Sequence, residues 1–397
     1  MSVIVQKYGG SSVGTEERVR KVAQRVAESH GKGDQVVVVV SAMGKTTHAL
    51  LEQAKTLAEN PSRRELDVLL SSGERISASL LAMALSDAGV PSVSLSGPQA
   101  GIRTCDTHFA AQIQEVCPDR VHSELRAGKV VVVAGYQGED PRGDVTTLGR
   151  GGSDITAVAL AAALRADRCE IYSDVDGIFT ADPRVVPAAR PIARLGHEEM
   201  LALAHCGAKV LNARAVEYAW RHGVKVWARC TFDRKPGTLI CAPHAHGSQD
   251  AAGVAGHAGI LWVRARRPAM VEAIQASLDD VFLEQPAPRD QVDLLAPTAT
   301  MADPAGQIRA LRERFGDQVE LTEGLGSVSL VGPGLSRTAV PAEIAARTFD
   351  TKGIAARAAW RTPNALTWLV DAAQVTPALQ ALHGAFLEDQ AGAEGAA

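Results

Sequence analysis

A lysine followed by paired glycines and two serines, Lys7-Tyr8-Gly9-Gly10-Ser11-Ser12, stands directly after the chain's first apolar run, Val3 to Gln6. An ammonium group beside backbone N–H groups bared by glycine is suited to phosphate or carboxylate oxygens. Gly149-Arg150-Gly151-Gly152-Ser153-Asp154 opens a helix-type run, and Tyr172-Ser173-Asp174-Val175-Asp176-Gly177 follows a strand-type one. Each gives backbone N–H groups a place to converge on an anion. Together the three segments suggest phosphoryl-transfer chemistry, which asks for charge neutralisation and alignment more than for covalent steps.

Other residues fit around such a site. Ser41-Ala42-Met43-Gly44-Lys45-Thr46-Thr47 contains Gly-Lys-Thr, but Val39 stands five positions before Gly44, where a Walker loop has glycine. The segment instead reads as a strand-to-helix turn whose hydroxyls either bond a small polar substrate or cap the helix. Glu74, after Ser71-Ser72-Gly73, is expected at a helix N-terminus, where a carboxylate is favoured, and its charge also suits a substrate ammonium group. Arg150, between glycines, can clamp a carboxylate bidentately. Asp154 and Asp174 fall at strand junctions, where they could orient the lysine or hold magnesium through water. Asp182-Pro183-Arg184 after Phe179-Thr180 reads as a turn able to frame a nucleotide.

The elements that must position these residues alternate between strand and helix signals. Strands are expected over Val3–Gln6, Gln35–Val40, Val90–Leu95, Val130–Ala134, Cys169–Tyr172 and Val224–Ala228, with Ala110–Gln114 continuing the alternation. Helices are expected over Glu16–Ser29, Leu50–Ala58, Arg75–Ala88, Thr156–Leu164 and Glu198–Leu211. This is the rhythm of an α/β sandwich with a mainly parallel sheet. An Ala-, Gly- and His-rich stretch, 244–257, reads as a linker. Shorter units beyond it fit two successive βαββαβ-type modules, 258–325 and 326–390.

Composition limits the remaining possibilities. A chain of 397 residues, 46% hydrophobic and with a net charge of −4, can bury a large core and should form two or three domains. The slightly acidic balance without basic clusters argues against nucleic acid as a partner. Six cysteines without a CxxC pair favour reduced thiols over a zinc site or a disulfide framework. No apolar stretch is expected to approach the roughly 20 residues of a membrane span, so a cytoplasmic protein without a membrane partner is expected.

Six motifs in register carry a resemblance: Lys7 to Ser12, Val40 to Gly44, Gly73-Glu74-Arg75, Val145 to Asp154, Glu170 to Arg184, and Gly207-Ala208-Lys209-Val210-Leu211, with Pro236 to Ile240 following. Over nearly all of 1–242 the chain resembles aspartate kinases of the amino-acid kinase family, most closely those of actinobacteria. The resemblance implies a three-layer amino-acid kinase sandwich over 1–243, followed by paired α+β ACT-like modules. It also implies transfer of the ATP γ-phosphoryl group to the side-chain carboxylate of L-aspartate, with Mg²⁺ bridging the phosphates. This would be the first step toward lysine, threonine and methionine, or would feed a specialised pathway. Lys7 would stabilise the moving phosphoryl group and Asp154 would organise the lysines. Thr47, Glu74, Arg150 and Ser153 would hold aspartate. Gly9, Gly10, Ser11, Ser41, Ser173, Asp174, Phe179, Thr180, Arg184 and Lys209 would line the nucleotide. The family's dimer through the C-terminal modules is expected here too.

The chain departs from the family's pattern at several points. Gln285-Pro286 stands where an effector-gripping Gln-Asn is usual, Pro268-Ala269 where Pro-Gly is, and His48 where an aspartate is. The segment Arg229-Cys230-Thr231-Phe232 also differs from the usual Arg-Ser-Ser-aromatic. A kinase for another amino-acid carboxylate, or a silent regulatory subunit, are the alternative readings.

Overall fold

The computed structural model describes residues 2–242, 251–266, 270–278, 281, 283–287, 291–301 and 303–388. These form two compact units. The first comprises Met1–Ile178, Pro191–Met200 and Lys209–His244; the second comprises Phe179–Arg190, Leu201–Ala208 and Ala245–Ala397. The division therefore differs from a single cut at 243, because two segments expected in the first domain cluster with the second.

The chain runs through β1 (Val3–Tyr8), α1 (Glu16–Gly31), β2 (Gln35–Val40), α2 (Thr46–Leu57), α3 (Arg63–Asp87), β3 (Ser92–Leu95), β4 (Ile102–Thr104) and β5 (Ile113–Val116). It continues through α4 (Asp119–Arg126), β6 (Val130–Ala134), β7 (Gln137–Glu139), β8 (Val145–Thr147), α5 (Gly152–Ala163) and β9 (Arg168–Ser173). Next come β10 (Arg194–Gly196), α6 (His197–His205), α7 (Ala213–Arg221), β11 (Val226–Cys230) and β12 (Thr238–Cys241). The main sheet has the order β10-β12-β11-β9-β1-β2-β6-β3. From β11 to β3 every neighbouring pair is parallel.

Burial on both faces explains the unbroken valine runs: Val36 to Val40 and Val130 to Ala134 are all fully buried. Val19, Val22 and Val26 of α1 and Ala78, Leu81 and Leu85 of α3 share one core with those strands. Helix α5 packs across β1, β2 and β9, giving the expected three layers. Thr15 caps α1 by accepting from Arg18 N–H, and Glu16 and Glu17 add favourable charge to its first turn.

Several elements depart from the sequence reading. Lys7 lies inside β1, opposite Val39 and Ile171, rather than just beyond it. Helix α3 begins at Arg63, so Ser71 to Glu74 sit in its middle. At 25 residues, α3 is also long and apolar enough to pass as a membrane span by length and composition, contrary to expectation. Its buried side chains, Leu66, Leu70, Leu81 and Leu85 among them, make it a core helix of this unit. Ala110 to Gln112 are irregular and lead into β5, and β4, β5, β7 and β8 form a small second sheet that the sequence did not signal. The helix expected to reach Leu211 ends at His205, with α7 separate.

The second unit contains β13 (Gly253–Ala265), α8 (Val271–Gln275), β14 (Leu283–Ala287), β15 (Gln291–Pro297), α9 (Pro304–Phe315) and β16 (Val319–Val331). These are followed by α10 (Val340–Lys352), β17 (Ala356–Thr362), β18 (Ala365–Asp371) and α11 (Val375–His383). The strands form one antiparallel sheet, β14-β15-β13-β16-β18-β17. The linker expectation is half overturned. Residues 253–257 are strand, paired with Ser327 to Val331, while 243–250 lie outside the described residues. Small residues are required there because a Cβ on Gly256 would come within 2.4 Å of Ser327 O. Pro286 lies in edge strand β14, where proline is tolerated. Pro268-Ala269 lies outside the described residues.

Candidate functional site

In the main sheet β1 has β2 on one side and β9 on the other, so the loops leaving these strands diverge at its carboxyl end. A doubly wound sheet opens its ligand crevice at such a point. Backbone bonds tie the diverging loops together: Gly9 N donates to Tyr172 O at 3.2 Å, Ser41 N to Tyr8 O at 3.1 Å, and Gly44 N to Gly10 O at 3.0 Å. Gly10 must be glycine, since a Cβ would lie 2.8 Å from Ala42 O and 3.2 Å from Gly44 O, both main chain. Ser11, half-buried beyond it, accepts at its main-chain oxygen from Arg18 at 2.7 Å.

Lys7 reaches Asp154 in the first turn of α5, Nζ to Oδ1 2.6 Å, with each side chain 12% exposed. The chain enters α5 through Gly149 (φ 74°) and Gly151 (φ 69°), left-handed positions that favour glycine. Arg150 between them is exposed, and its carbonyl accepts from Asn212 Nδ2 at 3.3 Å. Ser153 is buried against the end of β6, where a Cβ on Gly135 would fall 2.8 Å from its Oγ. The start of this helix therefore lies beside the lysine, with the Gly152 and Asp154 N–H groups turned back onto Gly149 O and Gly151 O at 3.0 and 2.9 Å.

Glu74 arrives from α3 because Gly73 lets that helix close on the loop after β2; a Cβ on Gly73 would be 2.9 Å from that of Ala42. Glu74 Oε1 accepts from Ala42 N at 3.1 Å, while the buried Oε2 has no hydrogen-bond partner among the described residues. Burial pushes its pKa up to about 7. A sequestered carboxylate with one oxygen unused fits a cationic ligand group. Thr47 is half-buried in the first turn of α2, whose cap position is Lys45 and has no side-chain cap bond. The capping alternative for this turn is thus not realised. Burial likewise raises the Tyr136 pKa to about 12, with the Glu74 charge adding to the effect.

On the other side of β1, half-buried Ser173 ends β9 and its Oγ accepts from Val175 N at 3.3 Å; Asp174 is exposed. Beneath them Tyr8 and Tyr172 stack at 4.8 Å, and buried Glu170 accepts from Gln6, Tyr172 and Arg168 and pairs with Arg229. Arg25 lies 5.0 Å over Tyr172 and donates to Cys230 O and Asp233 O, holding the loop after β11. Lys209 is exposed just beyond α6.

Phe179, Thr180 and Arg184 belong to the second unit. There the Thr180 hydroxyl is shared between Arg190 N–H and buried His383, each at 2.9 Å, and Arg184 pairs with Asp182. Sequence reasoning missed Asp67, Asn212, Arg214 and Arg25, and it placed Glu170 in a motif without giving it a role. The four missed residues act on others of the site through contacts far apart in the chain, which no local motif signals.

A parallel α/β sandwich presenting a lysine, glycine N–H groups and a helix start at its switch point defines a protein built to handle phosphoryl groups. Residues 2–228 match the model of the amino acid kinase family. The aspartokinase of Geobacillus stearothermophilus is 40% identical over 401 residues, 97% of each chain. That of Mycolicibacterium smegmatis is 55% identical over 242 residues, 60% of this chain and 57% of its own length. The structure of E. coli aspartokinase III in complex with aspartate and ADP matches with a TM-score of 0.81 at 25% identity, over 96% of this chain and 99% of that one. The chain belongs to the amino acid kinase family, among its aspartokinases.

Proposed function

We propose that this protein is an ATP:L-aspartate 4-phosphotransferase, making 4-phospho-L-aspartate. The observation that carries this reading is the position of Lys7 in the strand that divides the site. On one side lie Thr47, Glu74, Arg150 and Ser153, suited to an amino acid; on the other lie Ser173 and Asp174, suited to a nucleotide. Lys7, held by Asp154 at 2.6 Å, faces the phosphoryl group as it passes between them, with the Gly10 N–H beside it and Gly9 leaving room at its ammonium, where a Cβ would lie 3.5 Å from Nζ. Glu74 receives the substrate ammonium and Arg150 the α-carboxylate. The attacking side-chain carboxylate is ionised at neutral pH, so no base is needed. Lys209 completes the nucleotide side, and Ser41, which directly follows β2, meets the phosphates from the other flank of β1. The exposed carboxylate of Asp174 offers the hard oxygen that Mg²⁺ takes alongside phosphate oxygens, and the bound ion would neutralise their charge. Trapping the acyl phosphate with hydroxylamine, using aspartate, glutamate and close analogues, tests the reading; product from glutamate but not aspartate would overturn it.

Arg150→Lys is expected to raise the KM for aspartate by about ten-fold, because a point charge cannot reproduce a two-pronged contact. The KM for ATP should hold. Arg150 is exposed, so folding should be unaffected, and an equal loss for both substrates would remove it from the aspartate side.

We further infer a homodimer through the C-terminal sheet. The cores containing Leu261, Val263, Leu330 and Leu366 lie with helices α8 to α11 on one face. Alternate residues on the other face, Ile260, Leu295 and Leu369, are fully buried in a cluster against which half-buried Trp262 and Trp360 pack, and the tryptophans give that face its apolar surface. Light scattering in solution should give twice the chain mass, and a monomer at micromolar concentration would contradict it.

A further inference from the structure

We propose that Asp67 is a positioning residue for the amino-acid side of the site, an inference that rests on the aspartate reading above. Asp67 lies on α3 seven residues before Glu74, about two turns along the same helix face. It is fully buried, yet it makes no ion pair with lysine or arginine among the described residues. Its carboxylate instead gathers three donors. Thr147 Oγ1 donates at 2.5 Å, Phe109 N sits 3.1 Å from both oxygens, and His108 Nδ1 lies 2.7 Å away. Holding a buried charge on this set of neutral and imidazole donors makes each bond matter, since a vacated partner leaves the charge unsatisfied.

Two of these donors, Thr147 and Phe109, lead to the arginine loop, and His108 adjoins the second in sequence. Thr147 is the last residue of β8, three before Arg150. Phe109 is held at φ 73°, an uncommon conformation for such a residue. Its carbonyl oxygen lies 3.4 Å from where a Cβ on Gly149 would be, and Ala111 N donates to Thr147 O at 2.9 Å. One carboxylate therefore joins the helix carrying Glu74 to the loop carrying Arg150. If those two groups grip opposite ends of one small amino acid, Asp67 fixes the spacing between them.

The test is a set of three variants assayed beside wild type. Thr147→Val removes one donor and keeps the shape of the side chain; it should raise the KM for aspartate about ten-fold while leaving kcat and the KM for ATP within about two-fold. Thr147→Ser, which keeps the hydroxyl, should restore wild-type values. Asp67→Asn should shift aspartate KM in the same direction as Thr147→Val. The proposal is overturned if Thr147→Val lowers only the melting temperature, or raises both KM values equally. Wild type failing on aspartate would instead overturn the functional reading, and this inference with it.

Discussion

Lys7→Ala should lower kcat by about 10²-fold or more while changing the aspartate KM far less. The Lys7 ammonium is nearly buried and fixed by Asp154 at 2.6 Å, so its field is in place before charge moves and costs no reorganisation during transfer. In the proposed arrangement, ground-state binding of aspartate depends on groups on one side of β1 and gains little from it. Removing the ammonium also leaves the mostly buried Asp154 carboxylate unpaired, so the melting temperature must be read alongside. A kcat loss in a variant that melts normally locates the defect in the reaction, and an unchanged kcat removes Lys7 from the mechanism.

Glu74→Gln should raise the aspartate KM by about 10²-fold, the scale of loss when one partner of a buried charge pair is removed. It should also alter the pH profile. Because burial lifts the Glu74 pKa to about 7, the free enzyme carries a neutral acid there below that value and a carboxylate above it. Wild-type kcat/KM for aspartate should therefore climb with pH up to about 7 and then level off, since this parameter reports groups of the free enzyme. The glutamine variant should lack that limb. Stability moves the other way. A carboxyl group whose folded pKa is raised disfavours the fold once pH exceeds that of the unfolded chain, so Glu74→Gln should melt no lower than wild type at pH 8. A variant that keeps both the limb and the wild-type KM would separate Glu74 from substrate binding.

The sequence conveyed the parallel sheet well because Val36 to Val40 and Val130 to Ala134 are buried on both faces, a condition that leaves little room for other residue types. Lys7, Asp154 and the glycines were legible for a related reason: close backbone approach leaves Gly10 no alternative. Glu74 was recognised but misplaced. Ser71-Ser72-Gly73 looks like a turn, yet in α3 the serines donate back to Val68 O and Leu69 O, and the glycine is needed for contact with Ala42. Strands of three or four residues, such as β4 and β8, are too short to show a period, which hid the second sheet and with it Asp67. The Gly-Val-Ala-Gly-His run at 253–257 looked like a linker because a crowded strand and a loose connection both call for small residues.

That strand also sets a clock on synthesis. Gly253 pairs with Val331, 78 residues further along, while the other half of β13 pairs with β15 much sooner. At about 5–20 residues per second, the first half of β13 emerges from the ribosome roughly 4–16 s before its partner exists. Through that interval its backbone donors and acceptors form an open edge available to any neighbouring strand. The second half of the tail closes only when β16 arrives, so this unit completes late, in one step spanning both halves, rather than module by module.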